Sequence, residues 1–129
     1  MLSLPPTMRV FVATGATDMR KSFQGLVALT LGVVHQDPMS GHLYVFFNAR
    51  KNMMKAIYWD RNGYCLVAKQ LERGSFVLPH AKDGVVELEA VDLALLLEGI
   101  DLSNARRRPR WMPTARSSSP TLPATRRRA

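Results

Sequence analysis

The chain has 129 residues, 47% hydrophobic and 22% charged, the ordinary balance of a single globular domain. Its one cysteine, Cys65, excludes an intrachain disulfide, and its longest strongly apolar stretch, Leu93–Leu97, falls far short of the roughly 20 residues that a membrane span needs. The formal net charge of +8 is uneven: residues 1–100 hold ten Lys/Arg against nine Asp/Glu, whereas residues 101–129 hold eight Arg and one Asp. The pI near 10.4 is therefore a property of the tail, and a nucleic-acid argument about the body has to rest on particular residues. Met1–Pro6 lacks the basic and apolar regions of a signal peptide, so a cytoplasmic protein is expected.

Met8–Ala13 is β-branched and aromatic and predicts a first strand. Thr14–Thr17 predicts a turn, with Thr17 as N-cap of a helix over 18–34 whose apolar residues recur at helical spacing. Asp37–Gly41 is strong turn punctuation, and Leu43–Phe47 predicts the second strand. Strands over Lys55–Asp60 and Tyr64–Leu71 flank Asn62-Gly63, the residue pair preferred in a type I′ hairpin. That loop pairs Trp59 with Leu66 and Ile57 with Ala68. One hairpin face then carries Ile57, Trp59, Leu66 and Ala68, and the other Tyr58, Asp60, Cys65, Val67 and Lys69.

Phe76–Leu78 predicts a short strand stopped by Pro79, and Val85–Leu88 another. Ala90–Glu98 predicts a helix, apolar around most of its circumference, with Gly99 suited to its C-terminal cap. From Leu102 the composition changes to Arg, Ser, Pro, Thr and Ala without periodicity, which predicts a disordered tail over 102–129. The expected organisation is a compact domain over 1–101. Its class is α+β: a mostly antiparallel sheet of about five or six strands with two packed helices.

Phosphate-binding glycine loops, Gly-x-Ser-x-Gly and His-Glu-x-x-His are all missing from the sequence. His35, His42, His80 and Cys65 lack ligand spacing, so neither a metal nor another cofactor is expected. Asp18, Asp60 and Asp83 are the carboxylates from which a small metal-dependent nuclease would be built, although each also has a local role at a turn or helix start. The stronger candidates are cations. Arg50, Lys51 and Lys55 precede the hairpin, Arg61 marks its tip, and Lys69 and Arg73 lie on or after its return strand. With Tyr44, Phe46, Phe47, Tyr58 and Trp59 they would form a ribbon that tracks phosphates and stacks bases. The competing reading makes the aromatics core and the cations the solvated border of an edge strand.

Several ordered motifs add to this reading. They are Leu4-Pro5-Pro6, Ala13-Thr14-Gly15, Thr17-Asp18-Met19-Arg20-Lys21, Asp37-Pro38 and Ser40-Gly41-His42-Leu43. Tyr58-Trp59-Asp60, Gly63, Cys65-Leu66, Leu71-Glu72-Arg73-Gly74 and Leu95–Asp101 continue the series. Over residues 2–101 the chain resembles the TnpB accessory-protein family, encoded by the second open reading frame of the insertion-sequence family sixty-six. The resemblance implies a non-catalytic accessory protein acting beside a separate transposase that carries the acidic catalytic residues, with that transposase and transposon-end DNA as partners. It also adds Arg20 and Lys21 to the candidate nucleic-acid contacts. The chain departs from the family pattern at Val67-Ala68, near Leu78 and after Asp101. A pure protein adaptor docking through the leucine-rich helix is the remaining alternative.

Overall fold

Two uninterrupted apolar runs set the architecture, because a strand without polar alternation needs cover on both faces. In the computed structural model, which describes residues 4–99 apart from Pro6, these runs are the central strands β1 (Val10–Ala16) and β2 (Leu43–Phe47). All five residues of β2 are 0% exposed. The remaining strands are β3 (Met53–Asp60), β4 (Gly63–Gln70) and β5 (Val85–Leu88), and the sheet order is β4-β3-β2-β1-β5. Only β1 and β2 pair in parallel; the other three pairings are antiparallel. The α+β expectation is borne out, with five strands and two helices among the described residues. The tail over 102–129 and the domain boundary at Asp101 lie outside the described residues.

The two helices lie on opposite faces of the sheet. Leu26 of α1 (Phe23–Leu29) packs with Phe11, Ala13, Tyr44, Phe46 and Ile57 on one side. Leu93, Leu96 and Leu97 of α2 (Ala90–Leu97) pack with Val10, Val12, Val45, Phe47 and Met54 on the other. Buried Tyr44 stacks on Phe11 with ring centroids 5.6 Å apart, and its hydroxyl donates to the Asp37 carbonyl at 2.9 Å. Burial pushes the Tyr44 phenol up from its ordinary pKa.

Several local expectations are corrected. Thr14–Ala16 stays in β1, with a bulge between Ala13 and Ala16, so no turn begins there. Thr17 does not cap a helix, because its N–H is held by the Phe47 carbonyl at 2.8 Å and Asp18 organises its own turn. The helix starts five residues later than expected, at Phe23, and its last part, Thr30–Val34, is a π-helical turn. There Thr30 is fully buried and satisfies its hydroxyl by donating to the Leu26 carbonyl at 2.9 Å. Phe76–Leu78 is not a strand. Buried Phe76 instead packs edge-on against Phe47, 5.4 Å between centroids, and makes a single backbone bond to Lys51.

The hairpin turns at Arg61-Asn62 rather than Asn62-Gly63. Arg61 takes positive φ, 54°, the Asp60 carbonyl accepts the Asn62 N–H, and Gly63 enters the ladder opposite Asp60. Trp59 therefore pairs with Tyr64 and Ile57 with Leu66. This is a slip of two residues, and an even slip leaves both hairpin faces as expected.

Although α2 is apolar around most of its circumference, the sheet covers one side of it only. Leu93, Leu96 and Leu97 face the sheet, but Val91 and Leu95 are 51% and 40% exposed. Leu96→Ala should therefore cost about 2–5 kcal/mol in a denaturant titration, while Leu95→Ala stays within about 0.5 kcal/mol. Equal losses would contradict this orientation of the helix.

Candidate nucleic-acid interface

Because β1 and β2 are parallel, their C-terminal ends reach the same end of the sheet. The register Ala16–Phe47, Phe47–Met54 and Met53–Gln70 brings the start of β3 and the end of β4 there as well. Three chain segments emerge at that end: Thr17–Ser22, Asn48–Asn52 and the stretch after Gln70. They carry Arg20, Lys21, Arg50, Lys51 and Arg73, and Lys55 lies two residues into β3.

Short hydrogen bonds tie these segments together. The Lys55 ammonium donates to the Lys21 carbonyl at 2.8 Å, joining β3 to the segment before α1. Leu71 N–H donates to the Asn52 carbonyl at 2.8 Å, and Phe76 N–H to the Lys51 carbonyl at 2.6 Å. Asn48 shapes the central loop. Its side-chain oxygen accepts the N–H groups of Asn52 and Met53 at 3.0 and 3.1 Å, while its amide donates to the Asn52 side chain at 2.6 Å. Inside this loop Lys51 adopts positive φ, 56°. Asn48 was not among the residues expected from sequence, and its one local signal is an asparagine opening a tight loop.

The eight candidate cations do not form one surface. Arg61 lies at the hairpin tip, at the opposite end of the sheet, 3.5 Å from the Asp60 carboxylate. Lys69 is on the α2 side, and its ammonium donates to the Leu97 carbonyl at 2.8 Å, where it serves the C-terminus of that helix. Arg20 is partly neutralised: its guanidinium meets Asp18 at 2.8 Å, and its N–H donates to the same carboxylate at 2.9 Å. These bonds from Arg20 hold the Asp18 carboxyl well below the usual carboxylate range. Lys21, Arg50 and Lys51 form no ion pair among the described residues.

The base-stacking part of the expectation needs correction. Tyr44, Phe46 and Phe47 are completely buried and present no ring face to a nucleotide. Half-buried Trp59 packs edge-on against Tyr64, with centroids 5.0 Å apart, near the hairpin tip and away from the basic loops. Tyr44, Phe46, Phe47 and Trp59 are thus taken up by packing within the fold. The carboxylates are separated too. Asp18 and Asp83 flank the basic end, whereas Asp60 lies six residues along β3 from Met54, roughly 20 Å away. Among the described residues, no group of three or more His, Cys, Asp or Glu is arranged to hold a metal.

This arrangement of basic loops around a two-sided sheet goes with a family match covering residues 8–107, described as IS66 Orf2-like protein. The chain belongs to the IS66 Orf2-like family. The resemblance drawn from the motifs is borne out, and the match continues past Asp101 to take in Arg106 and Arg107. The family is that of an insertion-sequence accessory protein and is not a known enzyme class. Two proteins of Sinorhizobium fredii (strain NBRC 101917 / NGR234) are similar to this chain. The uncharacterized protein y4jC is 37% identical over 107 residues, 83% of this chain and 92% of the relative. The uncharacterized protein y4hO is 38% identical over 114 residues, 88% of this chain and 97% of the relative. No solved structure matches.

Two outcomes test the loop geometry. Asn48→Ala leaves two backbone N–H groups without their acceptor and should cost about 1–3 kcal/mol in thermal or denaturant unfolding. Asp18 is stabilised in its ionised form, so its contribution is present near neutral pH and is lost as pH falls below the usual carboxylate range. In an NMR titration its midpoint should lie well below about 3.9 and return toward that value in Arg20→Ala.

Proposed function

We propose that this protein is a non-catalytic accessory factor in transposition of its insertion sequence, and that it contacts transposon-end DNA through the basic end of the sheet. The observation that carries the reading is the convergence of Lys21, Arg50 and Lys51, none in an ion pair among the described residues, on loops braced by backbone hydrogen bonds. Braced cations lose less side-chain and loop entropy on meeting a phosphate chain than cations on a loose tail. Arg73 extends the same surface, while Arg20, held by Asp18, contributes less. Lys69 and Arg61 fall outside it. The body carries little net charge, so this local concentration of cations gives the electrostatic attraction a direction.

The separate transposase is the second partner in this reading, and a cytoplasmic location goes with it. No helix among the described residues is long and apolar enough to cross a membrane. Val91 and Leu95, exposed on one side of α2, favour an adaptor role as the second reading, with the transposase seated on that helix. The nuclease alternative loses its geometric support with the distance between Asp60 and the other two aspartates.

The test is an electrophoretic shift with terminal inverted-repeat DNA and the full-length chain, in which Arg106–Arg108, Arg110, Arg116 and Arg126–Arg128 are changed to serine. Shifted DNA is expected, with an affinity that falls steeply with salt. The triple substitution Lys21→Glu, Arg50→Glu, Lys51→Glu should abolish the shift, and single neutral replacements should each reduce the salt slope by about 0.9. Arg61→Glu, at the far end of the sheet, should leave binding nearly unchanged. If the chain with the neutralised tail shifts nothing, or Arg61→Glu is as damaging as the triple variant, the DNA surface is elsewhere and the adaptor reading leads.

A further inference from the structure

The sheet has two edges of different character. On one side β5 is only four residues long and includes Glu87, paired with Arg9 at 2.7 Å. Short length and charge are the usual protections of an exposed edge. On the other side β4 is eight residues long, contains no proline, and carries one charge, on Lys69, whose ammonium is turned to the Leu97 carbonyl. Its backbone offers an unprotected row of donors and acceptors.

Which groups face outward follows from the ladder. Leu71 N–H donates to the Asn52 carbonyl, continuing the β3–β4 register, so residues 52 and 71 form a hydrogen-bonded pair. Counting back in twos, Lys69, Val67, Cys65 and Gly63 turn their backbone groups to β3. Tyr64, Leu66, Ala68 and Gln70 turn theirs away from the sheet. A second β4 running antiparallel can bond to this row only in registers that place an outward residue opposite an outward residue.

We propose that β4 pairs antiparallel with β4 of a second copy of this chain, joining two five-stranded sheets about a two-fold axis at Leu66. This register is centred on the strand and sets the small, exposed Ala68 of one copy against the half-buried Tyr64 of the other. Shifting the axis to Cys65 or Val67 would place Tyr64 against Leu66 or Gln70 instead. Charge agrees with the same register. Lys69 of each copy comes opposite Gly63 of the other, whose neighbour across the hairpin is Asp60, on the same face. No two like charges are opposed along the strand. The axis is perpendicular to the sheet, so the basic ends of the two copies point in opposite directions.

The test uses the full chain without DNA. Sedimentation should give twice the 14.5 kDa of one chain. Ala68→Pro removes only an outward N–H, so it should yield a monomer whose unfolding temperature is close to that of the unaltered protein. In Val67→Cys, the new thiol falls opposite Cys65 of the other copy at a non-hydrogen-bonded position, with Cα atoms about 4.5 Å apart, within disulfide range. Mild oxidation should then produce a covalent dimer, linked between Cys65 and the introduced thiol on peptide mapping. A monomer at every concentration, an Ala68→Pro chain that stays dimeric, or a Val67→Cys chain that stays uncrosslinked would each overturn the proposal.

Discussion

The structure depends on burying β1 and β2 from both sides. Each backbone N–H and C=O in these strands needs a partner once water is excluded, and neighbouring strands on either side supply it. The side chains leave no polar face, since Leu43–Phe47 are all fully buried and Val10–Ala13 nearly so. Helices must therefore cover both sides, and α1 and α2 take one face each. Placing both helices on one face would have left either Val45 and Phe47 or Tyr44 and Phe46 in water.

That constraint also decides where function can reside. With the faces of the inner strands closed, charged groups are left to the ends of the sheet, the outer strands and the exposed sides of the helices. The parallel pairing of β1 and β2 then gathers the segment before α1 and the β2–β3 connection at one end. Local polar chemistry shapes each of them: Asp18 closes the first turn through Arg20, and Asn48 closes the second through Asn52 and Met53. The π-helical turn has a related origin. Thr30 is fully buried where the regular helical ladder ends, and its hydroxyl joins its own N–H in donating to the Leu26 carbonyl.

The candidate site was legible in part. Arg50 and Lys51 were visible as cations of the connection before the hairpin, and Lys21 entered through the family resemblance, but their common location follows from pairings between residues about thirty apart in sequence. Lys69 looked equivalent to them and is not, because its role depends on α2 ending beside β4. Tyr44, Phe46 and Phe47 looked available for stacking because strand spacing alone does not say whether a second layer covers the outer face. Asp60 was separated from Asp18 and Asp83 by the same strand geometry that brought the cations together.

From its residues alone the chain specified the strand at Leu43–Phe47, the strand at Val85–Leu88, the helix closed by Gly99 and the two faces of the hairpin. These rest on side-chain periodicity and on backbone preferences within a few residues, and both are written into the local sequence. The motifs specified the family for the same reason: they are strings of neighbours. What needed the tertiary structure was every choice between two locally acceptable states. Thr17 had to choose between capping a helix and bonding to Phe47, Phe76 between a strand and a core contact, and the hairpin between two turns with the same face pattern. Local free-energy differences among such states are small, and burial against distant parts of the chain outweighs them.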